Sequence, residues 1–184
     1  MARVLCIPAG DGSDPAAVRV VVTPAVKSDV TGKLRFEDVE QLSEPLLDKI
    51  AERLESRRVV GVRVLVEPAL YKGMTVEATV HAEPRADPKL VQAAGTAALY
   101  RYFHPITGGP DGQGWPFGRP VHMGEAFAVL QTVPGVRFVE EARLYPINPK
   151  TGERGEQVEK LDLEADALVF SFDHAVEVVF EGGS

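Results

Sequence analysis

The segment Met74–His81 constrains the fold more than any other part of the sequence, because apolar and polar side chains alternate strictly along it. A period of two places successive side chains on opposite faces of a β-strand. The segment therefore predicts a strand with one face in a hydrophobic core and the other in water or against a partner. The apolar positions are Met74, Val76, Ala78 and Val80, and the polar positions are Thr75, Glu77, Thr79 and His81.

Three helices are predicted, over residues 43–58, 87–103 and 122–133. In the first, Ser43 is expected to cap the helix through its hydroxyl, and the apolar residues fall on one face. The second begins at Asp87-Pro88, a capping carboxylate followed by proline. Gly95 within it is expected to mark close packing, and its predicted core positions are Leu90, Val91, Ala94, Ala98 and Leu99.

Strands are predicted before, between and after these helices, over residues 3–7, 17–23, 62–67, 74–81 and 136–145, with tail strands at 157–163, 167–172 and 175–180. The order strand, helix, strand, strand, helix, strand is typical of a split βαβ, ferredoxin-like sandwich. We therefore expect an α+β fold with an antiparallel or mixed sheet, helices on one face, and a C-terminal β extension.

The expected organisation is an α+β domain over residues 1–146 and a β-rich extension over residues 147–184, packed on that domain or on a partner. The tail is rich in apolar residues, which fit either an exposed sheet edge or a tail folded onto its own core.

Cys6 is the only cysteine, so no disulfide forms within the chain, and its apolar surroundings predict a buried thiol.

The segment HPITGGPDGQGWPFGRP, residues 104–120, is dense in glycine and proline and contains the only tryptophan, Trp115. Trp115 and Phe117 predict an ordered loop, because disordered linkers rarely carry large aromatic side chains. The loop lacks the Gly-Lys-Ser/Thr of a phosphate-binding loop, and Phe117 stands where a dinucleotide pattern needs its third glycine. No nucleotide or other cofactor is expected.

Three segments together resemble the C-terminal part of the baseplate J-like family: PITGGPDGQGWPFGRP, the following helix with Glu125 and Leu130, and VPGVRFVEEARLYP. The resemblance extends upstream through RRVVGVRVLVEPALYKGMTVEATV and downstream through NPKTGERGEQVEKLDLEADALVFS. Members of this family build the baseplate wedges of contractile phage tails and of related extracellular contractile injection systems. They are usually several times longer than this chain.

The resemblance implies a structural role without catalysis, in which the chain packs against other wedge and hub proteins and against further copies of itself. Wedges arranged around a central hub would hold the sheath-tube assembly in its loaded state and rearrange on contraction. The resemblance also implies cytoplasmic synthesis and assembly into a phage tail or tail-like particle. It marks Trp115, Phe117, Gly118 and Arg119 as residues that shape a family-specific interaction surface.

Composition and spacing disfavour other functions. The net charge of −7 disfavours nucleic-acid binding, and no apolar run approaches the roughly 20 residues of a membrane-spanning helix. The histidines are scattered, and Asp11, Asp14 and Asp111 lack the spacing of a calcium loop. Adjacent Glu140 and Glu141 are expected on opposite faces of a strand, and the Gly-x-Ser-x-Gly pattern is absent.

Two alternative functions belong to other classes. A binding module could recognise a small ligand or a glycan through the Trp115 loop. A hydrolase is the weaker alternative, because the sequence contains no paired catalytic groups.

Overall fold

The computed structural model describes residues 3–8 and 17–180, which form two compact units. The first unit consists of the described residues up to Lys27 together with Arg35–Leu70. The second consists of Ser28–Leu34 together with the described residues from Tyr71 onward. Helices accompany mixed and antiparallel sheets, so the predicted α+β class is confirmed.

A three-stranded sheet forms the first unit together with two helices. Its strands are β1 (Arg3–Pro8), β2 (Ala17–Thr23) and β3 (Arg63–Pro68), in the order β1-β2-β3. Strand β2 pairs with β1 antiparallel and with β3 parallel, and its valines supply the most buried positions of the sheet. The helices are α1 (Phe36–Glu40) and α2 (Glu44–Glu55).

Two local predictions for this unit are wrong. Ser43 occupies the N-cap position of α2, but its side chain makes no capping hydrogen bond. Cys6 is exposed, because β1 is an edge strand and every second residue of it faces outward.

The second unit is built on β4 (Leu70–Ala82), the long strand that contains the alternating segment. Strand β6 (Val136–Ile147) pairs with one side of β4 antiparallel, and β8 (Ala167–Ser171) and β9 (Ala175–Val179) occupy the other side. Strand β9 runs parallel to β4. The remaining elements are α3 (Pro88–Tyr102), β5 (Val121–His122), α4 (Met123–Gln131) and β7 (Lys160–Leu161), where β5 and β7 form a separate two-stranded sheet.

The strands of the predicted split βαβ order are thus divided between two sheets, with β2 and β3 in one and β4 and β6 in the other. The sequence-based boundary after Pro146 falls one residue before the end of β6. The tail strands β8 and β9 join the sheet of β4, and all of β8 is buried. These two strands therefore fold onto their own unit.

The hydrophobic core of the second unit lies on one face of β4, whose alternating apolar side chains belong to the same buried cluster as residues of α3 and α4. Asp87 caps α3 as expected, since its carboxylate accepts a hydrogen bond from the Lys89 amide at 2.9 Å. Gly95 marks close packing as predicted, because a Cβ there would lie 3.3 Å from Leu130 Cδ2 and 3.4 Å from Val176 Cγ1.

Part of the predicted core of α3 is wrong. Leu90 is 69% exposed and Ala94 is also exposed, whereas Val91 and Leu99 are buried. The helix turns Gly95 toward the core, so the buried face runs through positions four residues on either side of it and leaves Leu90 and Ala94 outside.

The prediction that Glu140 and Glu141 lie on opposite faces of a strand is also wrong. In the β4–β6 register Glu141 lies opposite Thr79 and Val139 lies opposite Val80, so Glu140 is an extra residue in a β-bulge. Both glutamates are exposed: Glu140 contacts His81 at 2.7 Å, and Glu141 accepts hydrogen bonds from Arg143. The bulge interrupts the alternation that the prediction assumed.

The chain between β8 and β9 is joined to β4 by side chains. Thr75, predicted to face outward, is buried, and its hydroxyl donates to the Asp173 carbonyl. His174 is also buried, and its Nδ1 accepts the Val76 amide N–H at 3.0 Å. The His174 ring therefore satisfies a backbone donor of β4 beside the connection between β8 and β9.

Substitution of Gly95 by leucine is expected to overpack the contact between α3, α4 and β9 and to lower the free energy of unfolding by about 1–3 kcal/mol. The matched control is Ala94→Leu, at the adjacent exposed position, which is expected to change it by less than about 0.5 kcal/mol. Urea unfolding followed by circular dichroism measures both. Equal effects of the two variants would contradict the packing described for Gly95.

His174 is expected to make stability depend on pH. Burial lowers the pKa of His174 from 6.5 to about 3; the charge of Asp173 opposes this shift, and the smaller effect of Lys33 adds to it. Between these two pH values only the unfolded state takes up the proton. The stability that the neutral, buried His174 contributes is therefore complete above about pH 6.5 and is lost as the pH falls. The loss should reach about 2 kcal/mol between pH 6.5 and 5.

The measurement is the free energy of unfolding in urea across this pH range for the wild type, for His174→Asn and for the control His122→Asn, which changes an exposed histidine. In the His174→Asn variant the free energy of unfolding should lose most of its dependence on pH, and in the control it should keep that dependence. An unchanged slope in His174→Asn would show that His174 is not buried in its neutral form.

Candidate interaction site at the tryptophan loop

The loop that follows α3 begins with a buried histidine that organises its first turn. His104 Nδ1 accepts the amide N–H groups of Ile106 and Thr107, each at 3.1 Å. Its backbone carbonyl accepts the amides of Gly108 at 3.0 Å and Trp115 at 3.2 Å. Burial lowers the pKa of His104 below its ordinary value, which favours the neutral ring that can accept these bonds.

Two glycines allow the loop to fold back against the end of α3. A Cβ at Gly108 would lie 2.4 Å from the carbonyl oxygens of Arg101 and Tyr102, so no larger residue fits. Gly109 has a φ of +80° and donates its amide to the Tyr102 carbonyl at 2.6 Å. This backbone approach requires glycine and brings Trp115 under the helix end.

Trp115 is completely buried, with 0% of its surface exposed. Its ring lies 5.3 Å from the Phe103 ring and 5.9 Å, edge to face, from the Tyr102 ring. Its indole Nε1 donates to the Arg119 carbonyl at 2.9 Å. The polar atom of the indole is therefore satisfied within the loop, as a buried tryptophan requires.

Arg119 covers Trp115 and connects it to α4. Its guanidinium carbon lies 4.5 Å from the centre of the Trp115 ring, within the range of a cation–π contact. Its Nη2 donates to Glu125 Oε1 at 2.7 Å. Since the Arg119 side chain is 32% exposed and that of Glu125 only 16%, this ion pair is partly shielded from water.

Glu125 accepts from two further donors. The Tyr102 hydroxyl donates to Oε1 at 3.0 Å and the His122 amide donates to Oε2 at 3.1 Å. Burial raises the pKa of Tyr102, and its hydrogen bond to Glu125 acts in the same direction. Glu125 is thus the polar centre of the site, where α3, α4 and the loop meet.

The structure brings the four predicted site residues together in one turn, residues 115–119, which we call the tryptophan corner. Gly118 has a φ of +66° and donates its amide to the Ala167 carbonyl at 3.0 Å, which ties the corner to β8. Phe117 and Arg119 are half-buried and reach the surface, whereas Trp115 does not. Their role in binding a partner stays a prediction.

The sequence alone indicates no role for Tyr102 and does not mark Glu125 as the centre of the site. A signal for Glu125 was present, because it lies three residues after the N-cap His122 of α4, where a glutamate can accept the N-cap amide. Nothing local in the sequence indicates that Tyr102 donates to the same carboxylate.

Titratable side chains outside the tryptophan loop form smaller groups, such as Lys33 and Tyr100, which both contact the Asp173 carboxylate. His81 contacts Glu140 and stacks on Phe138 with ring centres 4.3 Å apart. Asp111 is exposed in the loop, and Asp11 and Asp14 lie outside the described residues. Across residues 3–8 and 17–180, no group of three or more His, Cys, Asp or Glu side chains is placed to hold a metal ion.

None of the helices in the described ranges has both the length and the apolar character needed to cross a membrane.

The fold is similar to part of a much larger protein. The chain matches a chain in the cryo-electron microscopy structure of the anti-feeding prophage (AFP) baseplate, determined with six-fold symmetry, at a TM-score of 0.51 and 16% sequence identity. The match covers 85% of this chain and 29% of that chain. At this identity the likeness establishes a shared fold. No family model and no curated protein matches the sequence.

Truncation of Trp115 should unfold the site. Trp115→Ala removes a completely buried ring together with its hydrogen bond and its contact with Arg119, and is expected to lower the free energy of unfolding by about 3–5 kcal/mol. Gln113→Ala, at an exposed position of the same loop, is expected to change it by less than about 0.5 kcal/mol. Urea unfolding measures both, and a small effect of Trp115→Ala would contradict its position in the core.

Proposed function

We propose that the chain is a structural component of the baseplate of a contractile injection system or contractile phage tail. More specifically, it corresponds to the C-terminal part of a J-like wedge protein and acts by packing against other wedge and hub proteins. It catalyses no reaction in this role. The observation that carries the proposal is the fold shared with the anti-feeding prophage baseplate chain over 85% of this sequence.

The construction of the tryptophan corner supports a role in rigid protein–protein contact. The corner is fixed from several sides, through the buried Trp115 ring, the Arg119–Glu125 ion pair and the Gly118 bond to β8. A surface held in this way loses little conformational entropy when a partner binds. Phe117 and the outer part of Arg119 would supply the contact, because aromatic and arginine side chains are enriched in protein interfaces.

The second candidate, recognition of a small ligand or a glycan through the Trp115 loop, has no specific observation in its favour. Stacking of a sugar on tryptophan requires an accessible ring face. The Trp115 ring is completely buried, and the Arg119 guanidinium lies over it.

The proposal is tested by isolating particles from cells that produce this chain with an affinity tag. We expect the tagged chain to co-purify with sheath and tube proteins, and to be located in the baseplate by electron microscopy. A chain found only free in the lysate of cells that make intact particles would contradict the proposed function.

The site is tested in the same assay with Phe117→Ser. Its matched control is Phe138→Ser, which changes another partly exposed phenylalanine of the same unit. We expect Phe117→Ser to fold and to reduce incorporation into particles severalfold, and Phe138→Ser to incorporate as the wild type does. Incorporation of both variants at the wild-type level would reject the tryptophan corner as the contact surface while leaving the baseplate assignment intact.

A further inference from the structure

Strand β9 presents one free edge. In the described part of the chain it pairs with β4 alone, through residues 175–179. The Val176 carbonyl points away from β4, since it accepts a hydrogen bond from Gln92 Nε2 at 2.9 Å. Backbone groups of alternate residues in a strand point the same way, so Val178 faces the same free edge.

A groove lies along this edge. It is an open groove of about 610 Å³ between β9 and α3, lined on the helix side by Lys89, Gln92 and Thr96. Val176 and Val178 line it on the strand side. The groove leaves room along this edge for an extended segment of polypeptide, whose backbone can pair with β9 while its side chains contact α3. Gln92 already donates to the Val176 carbonyl, so an added strand must share that oxygen with Gln92 or displace it.

The groove carries one cation, Lys89 on the helix side, and one anion, Glu177 on the β9 side. Glu177 is exposed on the outward face of the sheet and has no ion-pair partner among the described residues. The other glutamates beside it are paired, Glu77 with Arg154 and Glu141 with Arg143. An added strand would place a side chain directly beside Glu177, and opposite charges in that position are favourable.

We propose that β9 accepts an extended segment of a different protein, which adds to the sheet in this groove and carries a lysine or arginine beside Glu177. A second copy of β9 does not meet this requirement, because Glu177 is the only charged residue in Ala175–Val179. The inference goes beyond the baseplate assignment and does not depend on it, since it follows from the free edge, the groove and the unpaired carboxylate.

The probe is a short synthetic peptide in which valine and threonine alternate around one central lysine. A second peptide has glutamate in place of the lysine, and a third has the lysine but carries N-methyl groups on alternate backbone amides. Fluorescence anisotropy gives the three dissociation constants. Amide hydrogen exchange measured by NMR reports on the backbone of Val176 and Val178.

We expect the lysine peptide to bind about two- to five-fold more tightly than the glutamate peptide. Glu177→Lys should reverse this order. The matched control Glu156→Lys changes an exposed carboxylate elsewhere in the same unit and should leave the order unchanged. The lysine peptide should also slow amide exchange at Val176 and Val178, and the methylated peptide should bind far more weakly.

Three results would overturn the proposal. The first is equal binding of the methylated and unmethylated peptides, because it excludes backbone pairing. The second is the absence of binding by the lysine peptide. The third is protection of the Val176 and Val178 amides that grows with protein concentration without peptide, because the occupant would then be a second copy of this chain.

Discussion

The second unit depends on the burial of one face of β4 beneath α3 and α4. That face supplies alternating apolar side chains to the core, while the two edges of the same strand pair with β6 on one side and with β8 and β9 on the other. Gly95 in turn lets α3 approach Leu130 of α4 and Val176 of β9 closely. One strand therefore sets both the position of the helices and the order of its neighbours.

The part of the fold that follows from local chemistry could be predicted from the sequence. The alternation in Met74–His81 indicates a strand with one buried face, and Asp87-Pro88 marks the start of α3. The pairing of strands could not be predicted in the same way, because register and sheet membership depend on residues far apart in sequence. The division of the strands between two sheets and the bulge at Glu140 are both of this kind.

For the candidate site, the sequence indicated an ordered loop but not the contacts that order it. The aromatic residues among the glycines and prolines favoured a fixed structure, which the complete burial of Trp115 confirms. The connection from Trp115 through Arg119 to Glu125 joins the loop to α4, and Tyr102 adds a donor from α3. Such a connection depends on the packing of three elements, so no local pattern specifies it.

The bulge at Glu140 has a consequence for how the sheet can be extended. It adds one more carboxylate to an outer face that already carries Glu77, Glu141, Arg143 and Arg154. Stacking another layer on that face would require the removal of water from several ionised groups, which is unfavourable unless each one finds a new partner. Growth of this sheet is therefore directed sideways, along its strand edges, and is opposed over its outer face.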